Sequence, residues 1–197
     1  YLYVDTGAIY RTVALRVREA GADPSNPAQV ESLLEGLDIR MDYGEDGVQR
    51  MYLSGRDVTE AIRENAVSAL ASQVAALPAV RDFLLDFQRR QARERDVVMD
   101  GRDIGTVVLP RARVKIFLTA APEARAERRL LELRQRGQDA AFDTVLSDII
   151  RRDEQDRNRA IAPLRQAEDA VLLDTTRLDR AGSLEALLAI VRERLPQ

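Results

Sequence analysis

From Tyr1 to Val4 the chain is apolar and built of strand-favouring residues. Asp5-Thr6-Gly7 then interrupts the run before Ile9, Val13 and Val17 recur every four positions as far as Gly21. This order predicts a strand, a tight turn and a helix. Asn26 and Pro27 read as the N-cap and first residue of a short helix carrying Val30, Leu33, Leu34 and Leu37. The period then drops to two: Leu37, Ile39, Met41 and Tyr43 alternate with Asp38, Arg40 and Asp42, the pattern of a half-buried antiparallel strand. Gly44-Glu45-Asp46-Gly47 turns this strand into a second over Val48 to Leu53, and Ser54-Gly55 turns again, so a small β insert is predicted here.

Beyond the insert, Val67, Leu70, Val74 and Leu77 form one helical stripe, and after Pro78 a second helix carries Val80, Leu84 and Phe87 toward Arg95. Val97 to Met99 and Val114 to Leu118 are short apolar strands. Pro122 opens a helix that Gly137 closes. Asp143 reads as the cap of a long helix whose apolar stripe ends at Ile150 while polar helix formers continue toward Arg159, so this tail is expected to have no grip on the core. Val171 to Leu173 is a last strand. Ser183 reads as the cap of a terminal helix burying Leu184, Leu187, Leu188, Val191 and Leu195. Short apolar strands separated by helices predict an α/β fold, a parallel sheet with helices on both faces.

Composition narrows the chemistry. A chain of 197 residues and 22.1 kDa fits about one domain. It has no His, Cys or Trp and a single lysine, Lys115, so 29 of its 30 basic residues are arginine. Thiol and imidazole nucleophiles, a histidine base, disulfides, and thiolate or imidazole zinc and haem sites are excluded. Any metal must be hard and oxygen-bound, such as magnesium. The net charge of −3 and pI near 5.3 argue against nucleic-acid or anionic-membrane binding. The opening YLYVDTGAIY lacks the features of a signal peptide, and a cytoplasmic location is expected.

In open α/β sheets, ligands bind at the carboxyl ends of the strands. Asp5, Thr6, Gly7 and Arg11 follow the first strand, and Asp100, Gly101, Arg102, Asp103 and Gly105 follow the one at 97–99. For Asp5-Thr6, helix capping is an equal alternative. Two acids and an arginine at a buried strand end are costly to desolvate unless they pair with one another or with a ligand. An apolar strand ending in Asp is also how phosphate-transfer enzymes place a carboxylate near magnesium. A third cluster runs from Arg151 to Arg159, where Arg152, Asp156 and Arg159 share one helical face. Arginines on such a helix end suit a mobile arm that brings guanidinium groups onto phosphate.

These motifs together resemble bacterial cytidylate kinase, a P-loop nucleoside monophosphate kinase. They are D-T-G-A-I-Y-R from Asp5, S-Q-V-A-A-L-P-A-V-R from Ser72, D-G-R-D-I-G-T-V-V from Asp100, V-K-I-F-L from Val114 and D-R-N-R-A-I-A-P-L from Asp156, in that order across the chain. The resemblance implies transfer of the γ-phosphoryl group of ATP, with Mg2+, to CMP or dCMP by a monomer. It divides the chain into a core over 1–36, 64–150 and 164–197, a monophosphate-binding β insert over 37–63 and a helical lid over 151–163. Carried over by position, Thr6, Arg11, Arg102 and Arg159 surround the sugar and phosphate of CMP, while Ser72, Arg81 and Asp103 read the cytosine edge. Asp156 with Arg152 holds the sugar hydroxyls. Lid arginines including Arg157 close over the transferring phosphoryl group. Asp100 holds the waters of the metal. Thr6 stands where members often have Ser, and Gln155 where they often have Arg.

The family pattern also has an apolar strand and a G-x-x-G-x-G-K-[ST] phosphate loop ahead of the position of Tyr1. No such loop occurs in this sequence, and Lys115, inside an apolar strand pattern, cannot supply its lysine. The strand belonging to that segment would lie between those at 97–99 and 114–118, so two open sheet edges are expected. Two alternatives therefore accompany the kinase reading: a CMP-binding fragment without catalysis, and a kinase for another small substrate such as UMP or shikimate.

Overall fold

The computed structural model describes residues 1–135 and 137–195. They divide into two compact units, one of residues 1–104 with 159–161, the other of residues 105–135, 137–158 and 162–195.

In the first unit β1 (Leu2–Asp5) runs parallel to β5 (Val97–Asp100), with Tyr3 opposite Val98 and Asp5 opposite Asp100. The chain turns directly from β1 into α1 (Thr6–Glu19), so the predicted break is a cap: Asp5 is the N-cap and its Oδ1 accepts from Ala8 N at 3.1 Å. Gly21, at φ 63°, ends the helix in the left-handed conformation that favours glycine. Asn26 caps α2 (Pro27–Ser32) as read from the sequence. The insert is a three-stranded antiparallel sheet of β2 (Ile39–Tyr43), β3 (Gln49–Leu53) and β4 (Arg56–Asp57). Its period of two puts Gln49, Met51 and Leu53 inward, and β3 packs against α1. α3 (Asn65–Val74) and α4 (Pro78–Glu94) complete the unit, and Ile9, Val13, Val17, Val67, Val74, Val80 and Leu84 form its apolar core.

In the second unit β6 (Ile116–Thr119) pairs in parallel with β7 (Val171–Asp174). Among the described residues β5 pairs only with β1 and β6 only with β7, as the expected open edges require. Lys115 falls one residue before β6, a correction to its predicted place inside the strand. Its buried ammonium donates to the carbonyl of Pro110 and to both carboxylate oxygens of Asp169, at 2.9 and 2.7 Å. α5 (Pro122–Gln135) and α6 (Phe142–Asn158) pack through Ala126, Leu130, Leu133 and Val145.

Several sequence expectations need correction here. Asp143 lies in the first turn of α6 and is not its cap, because the opening helical bond runs from Val145 N to Ala141 O. Ser183 is likewise inside α7 (Arg180–Arg194). Asp179 is the cap, accepting from Gly182 N at 2.7 Å, while the Ser183 hydroxyl bonds back to Asp179 O. The leucines of α7 are not buried: no residue of this helix is, and Leu184 is 55% exposed.

Candidate active site

At the carboxyl ends of β1 and β5, residues of two motifs, one from Asp5 to Arg11 and the other starting at Asp100, are tied together. The Thr6 hydroxyl donates to Asp100 O at 2.7 Å, which fixes the start of α1 to the end of β5. Gly101 permits this approach, since a Cβ there would collide with Thr6 Oγ1 and with Ile104. One turn along α1, Arg11 Nη2 pairs with Asp5 Oδ2 at 2.6 Å. The same guanidinium's Nε is buried and has no hydrogen-bond partner among the described residues. Gly7 makes room for the pair, because a Cβ would lie 2.9 Å from Asp5 Oδ1 and 3.1 Å from Arg11 Nη1.

Asp100 presents an exposed carboxylate whose Oδ2 accepts from the Tyr3 hydroxyl at 2.6 Å. The packed strand ends around it raise its pKa; the Tyr3 bond opposes this, the Asp5 charge adds to it, and Arg102 and Arg11 lower it. Burial, and then the bond to Asp100, push the Tyr3 hydroxyl well above the usual tyrosine range. Arg102 is exposed beside this group.

Asp103, only 5% exposed, is the buried acid of the unit. Arg81, from the first turn of α4, reaches it through a short charged hydrogen bond, and Nη1 of the same guanidinium donates to Ala75 O at the end of α3. Arg159 Nη2 approaches the other carboxylate oxygen at 3.5 Å. Burial raises the pKa of Asp103 while the two arginines pull it down, with a net upward direction. Arg81 also lies 5.8 Å from the centre of the Tyr10 ring. Ser72 is half-buried on α3, one turn before Ala75.

Within the second unit, α6 carries Arg152, Asp156 and Arg157. Arg152 and Arg157 are exposed, and Asp156 is buried. The tail of α6 does have a grip, contrary to the apolar pattern: Arg125 of α5 forms a two-pronged bond with Asp153, Nη1 to Oδ1 at 3.0 Å and Nη2 to Oδ2. Arg157 stands 3.9 Å from the same carboxylate. Asp156 O accepts from Leu164 N at 2.8 Å and so closes the loop after the helix.

The profile of the cytidylate kinase family matches residues 1–193. The cytidylate kinase of Geobacter sulfurreducens is 48% identical over 194 residues, 98% of this chain and 83% of that protein. Those of Stutzerimonas stutzeri and Caldicellulosiruptor bescii are 47% and 45% identical, over 98% and 96% of this chain and 84% of each relative. The chain belongs to the cytidylate kinase family. It is a nucleoside monophosphate kinase by descent, a phosphotransferase with the α/β fold and parallel strands that the motif order implied.

The sequence reading gives no role to Tyr3 or Arg125, and it places Asp5 at the strand end with helix capping as an equal alternative. Tyr3 bonds Asp100, Asp5 orients Arg11 as well as capping α1, and Arg125 anchors α6 through Asp153. The alternation along β1 could have signalled Tyr3, since it has the same strand parity as Asp5. Arg125 carried no local signal, because its partner is 28 positions away.

Proposed function

We propose that the chain takes part in transfer of the γ-phosphoryl group of ATP to CMP or dCMP, acting as a monomer, with Arg11 as the principal phosphate-binding residue of the acceptor. The observation that carries this reading is the buried Arg11 Nε. Asp5 holds one edge of the guanidinium while the Nε–H has no acceptor among the described residues, and a buried donor left unmade costs about 1–3 kcal/mol. An oxygen of a nucleotide phosphate supplies the acceptor, with Thr6 and Arg102 near the same strand ends.

Asp103 gives the base preference in this reading. Its carboxylate accepts from the exocyclic amine of cytosine, while Arg81 donates to ring acceptors and Ser72 completes the edge. Uracil would present an oxygen to the carboxylate and be repelled. Asp156 with Arg152 takes the sugar hydroxyls, and Arg157 and Arg159 neutralise phosphoryl oxygens. The reaction needs no covalent protein intermediate, so positioning and electrostatic stabilisation carry the rate.

Magnesium fits this residue set only as a companion of the nucleotide. Among the described residues no three acids converge on a metal position, so Asp100 offers a single carboxylate, which suits an ion that keeps waters and phosphate oxygens as its other ligands. When bound, the ion neutralises charge on the ATP phosphates. Asp100 itself has one oxygen held by Tyr3, and its other oxygen would orient a metal-bound water.

Calorimetric titration with CMP, dCMP, UMP and AMP tests the assignment. The two cytosine nucleotides are expected to bind tightest, and Arg11→Ala to weaken both. Equal affinity for UMP would sink the role of Asp103, and unchanged CMP affinity in Arg11→Ala would sink that of Arg11.

A further inference from the structure

β1 pairs with β5 along one edge only. The bond from Leu2 N to Asp96 O turns the peptide groups of Leu2 and Val4 toward β5, so those of Tyr3 and Asp5 face the opposite edge. Among the described residues no strand of the first unit covers that edge. Two side chains of the insert do so instead. Gln49 accepts from Asp5 N at 2.8 Å and donates to Asp5 O at 3.2 Å, so one side-chain amide makes both bonds that a neighbouring strand would make. Tyr43, its register partner across β2 and β3, donates its hydroxyl to Tyr3 O at 3.0 Å. A single rung of the insert thus grips the two residues of β1 whose side chains shape the site.

Gln49 is buried, and its amide nitrogen also contacts Met51 Sδ at 3.3 Å, which fixes the amide's orientation. The peptide it holds belongs to Asp5, which caps α1 and pairs with Arg11. We propose that Gln49 is a positioning residue for nucleotide binding: it locks the Asp5 peptide, and through the Asp5 carboxylate it sets the direction of the Arg11 guanidinium. The insert is then coupled to phosphate recognition by a hydrogen-bonded path, Gln49 to Asp5 to Arg11. This inference rests on Arg11 being the phosphate ligand of CMP, as proposed above.

The test uses the full chain, with CMP titrated calorimetrically and stability followed by urea unfolding. Gln49→Leu keeps the bulk and removes both bonds to Asp5. It should raise the Kd for CMP about tenfold, the size seen when a partner that orients a binding group is lost. In an Arg11→Lys background the same change should raise Kd by less than about twofold, because the path it acts through is already broken. Leu53→Ala, on the same buried face of β3 but away from Asp5, should lower the unfolding midpoint and leave Kd unchanged. If Gln49→Leu fails to fold, Gln49→Glu retains the acceptor for Asp5 N and loses the donor to Asp5 O, and its Kd must rise as well.

A Gln49 variant that folds, loses stability and keeps the wild-type Kd overturns the positioning role while leaving the function intact. Equal effects of Gln49→Leu in the Arg11 and Arg11→Lys backgrounds overturn it too. Absence of CMP binding by the unmodified chain refutes the functional reading itself, and this inference with it.

Discussion

Gly7→Ala sets helix propensity against the needs of the site. Alanine in place of glycine within a helix ordinarily gains about 1 kcal/mol. At Gly7 the added Cβ would lie 2.9 Å from Asp5 Oδ1 and 3.1 Å from Arg11 Nη1, so the cap and the ion pair must shift. Losing the cap costs about 1 kcal/mol. Losing the Asp5–Arg11 pair, whose side chains are 27% and 19% exposed, costs up to about 1 kcal/mol more. The balance is a net loss of up to about 1 kcal/mol, or up to about 2–4 °C in Tm for a chain of this size. Gly182→Ala serves as the control, since its Cβ would meet Asp179 Oδ1 at 3.3 Å, where a small adjustment suffices. That variant should gain about 0.5 kcal/mol. Urea unfolding gives the two stabilities, and CMP calorimetry shows whether Gly7→Ala also weakens binding by moving Arg11. Stabilisation of Gly7→Ala to the level of the control, with CMP affinity unchanged, would refute the account of why glycine stands there.

The remaining predictions concern other contacts. Asp103→Asn leaves Arg81 and Arg159 facing a neutral amide in a buried place; urea unfolding should show a loss of about 3–5 kcal/mol, and competitive titration should show the preference for CMP over UMP shrinking. Tyr3, Tyr10 and Tyr43 all titrate above the ordinary tyrosine value, chiefly through burial, so the folded chain retains protons that the unfolded chain releases. Stability should therefore fall as pH rises past about 10, and absorbance titration of Tyr3→Phe should lose one late-ionising phenol. Arg125→Lys replaces a two-pronged bond to Asp153 with a single point charge, and should speed amide exchange in the last turns of α6 by about three- to tenfold while leaving β6 and β7 unchanged.

The strands and the insert were legible because their signals are local. Alternation from Leu37 to Tyr43 marks an antiparallel strand whatever lies elsewhere, and Asp5 after an apolar run marks a helix start. Errors arose where two local signals competed. Ser183 and Asp179 are both good caps, and the chain uses the earlier one, with Ser183 turned back to its carbonyl. An apolar stripe alone misses the grip on the end of α6, because Asp153 is held by an arginine on another helix. The motifs around Asp5, Asp100 and Asp156 pointed to the family, but the links among side chains within each unit did not follow from them. Gln49 meets Asp5 across 44 positions, a separation at which no periodicity carries information.

The burial of Lys115 makes the chain its own unfolding reporter. It is the only lysine in the sequence, and its side chain is 8% exposed and bonded to Pro110 and Asp169. A lysine-specific protease therefore has one peptide bond to cut, directly ahead of β6, and reaches it only when that region opens. Where closing outruns cleavage, the rate at which fragments 1–115 and 116–197 accumulate measures the opening equilibrium at one edge of the second unit, without any introduced label.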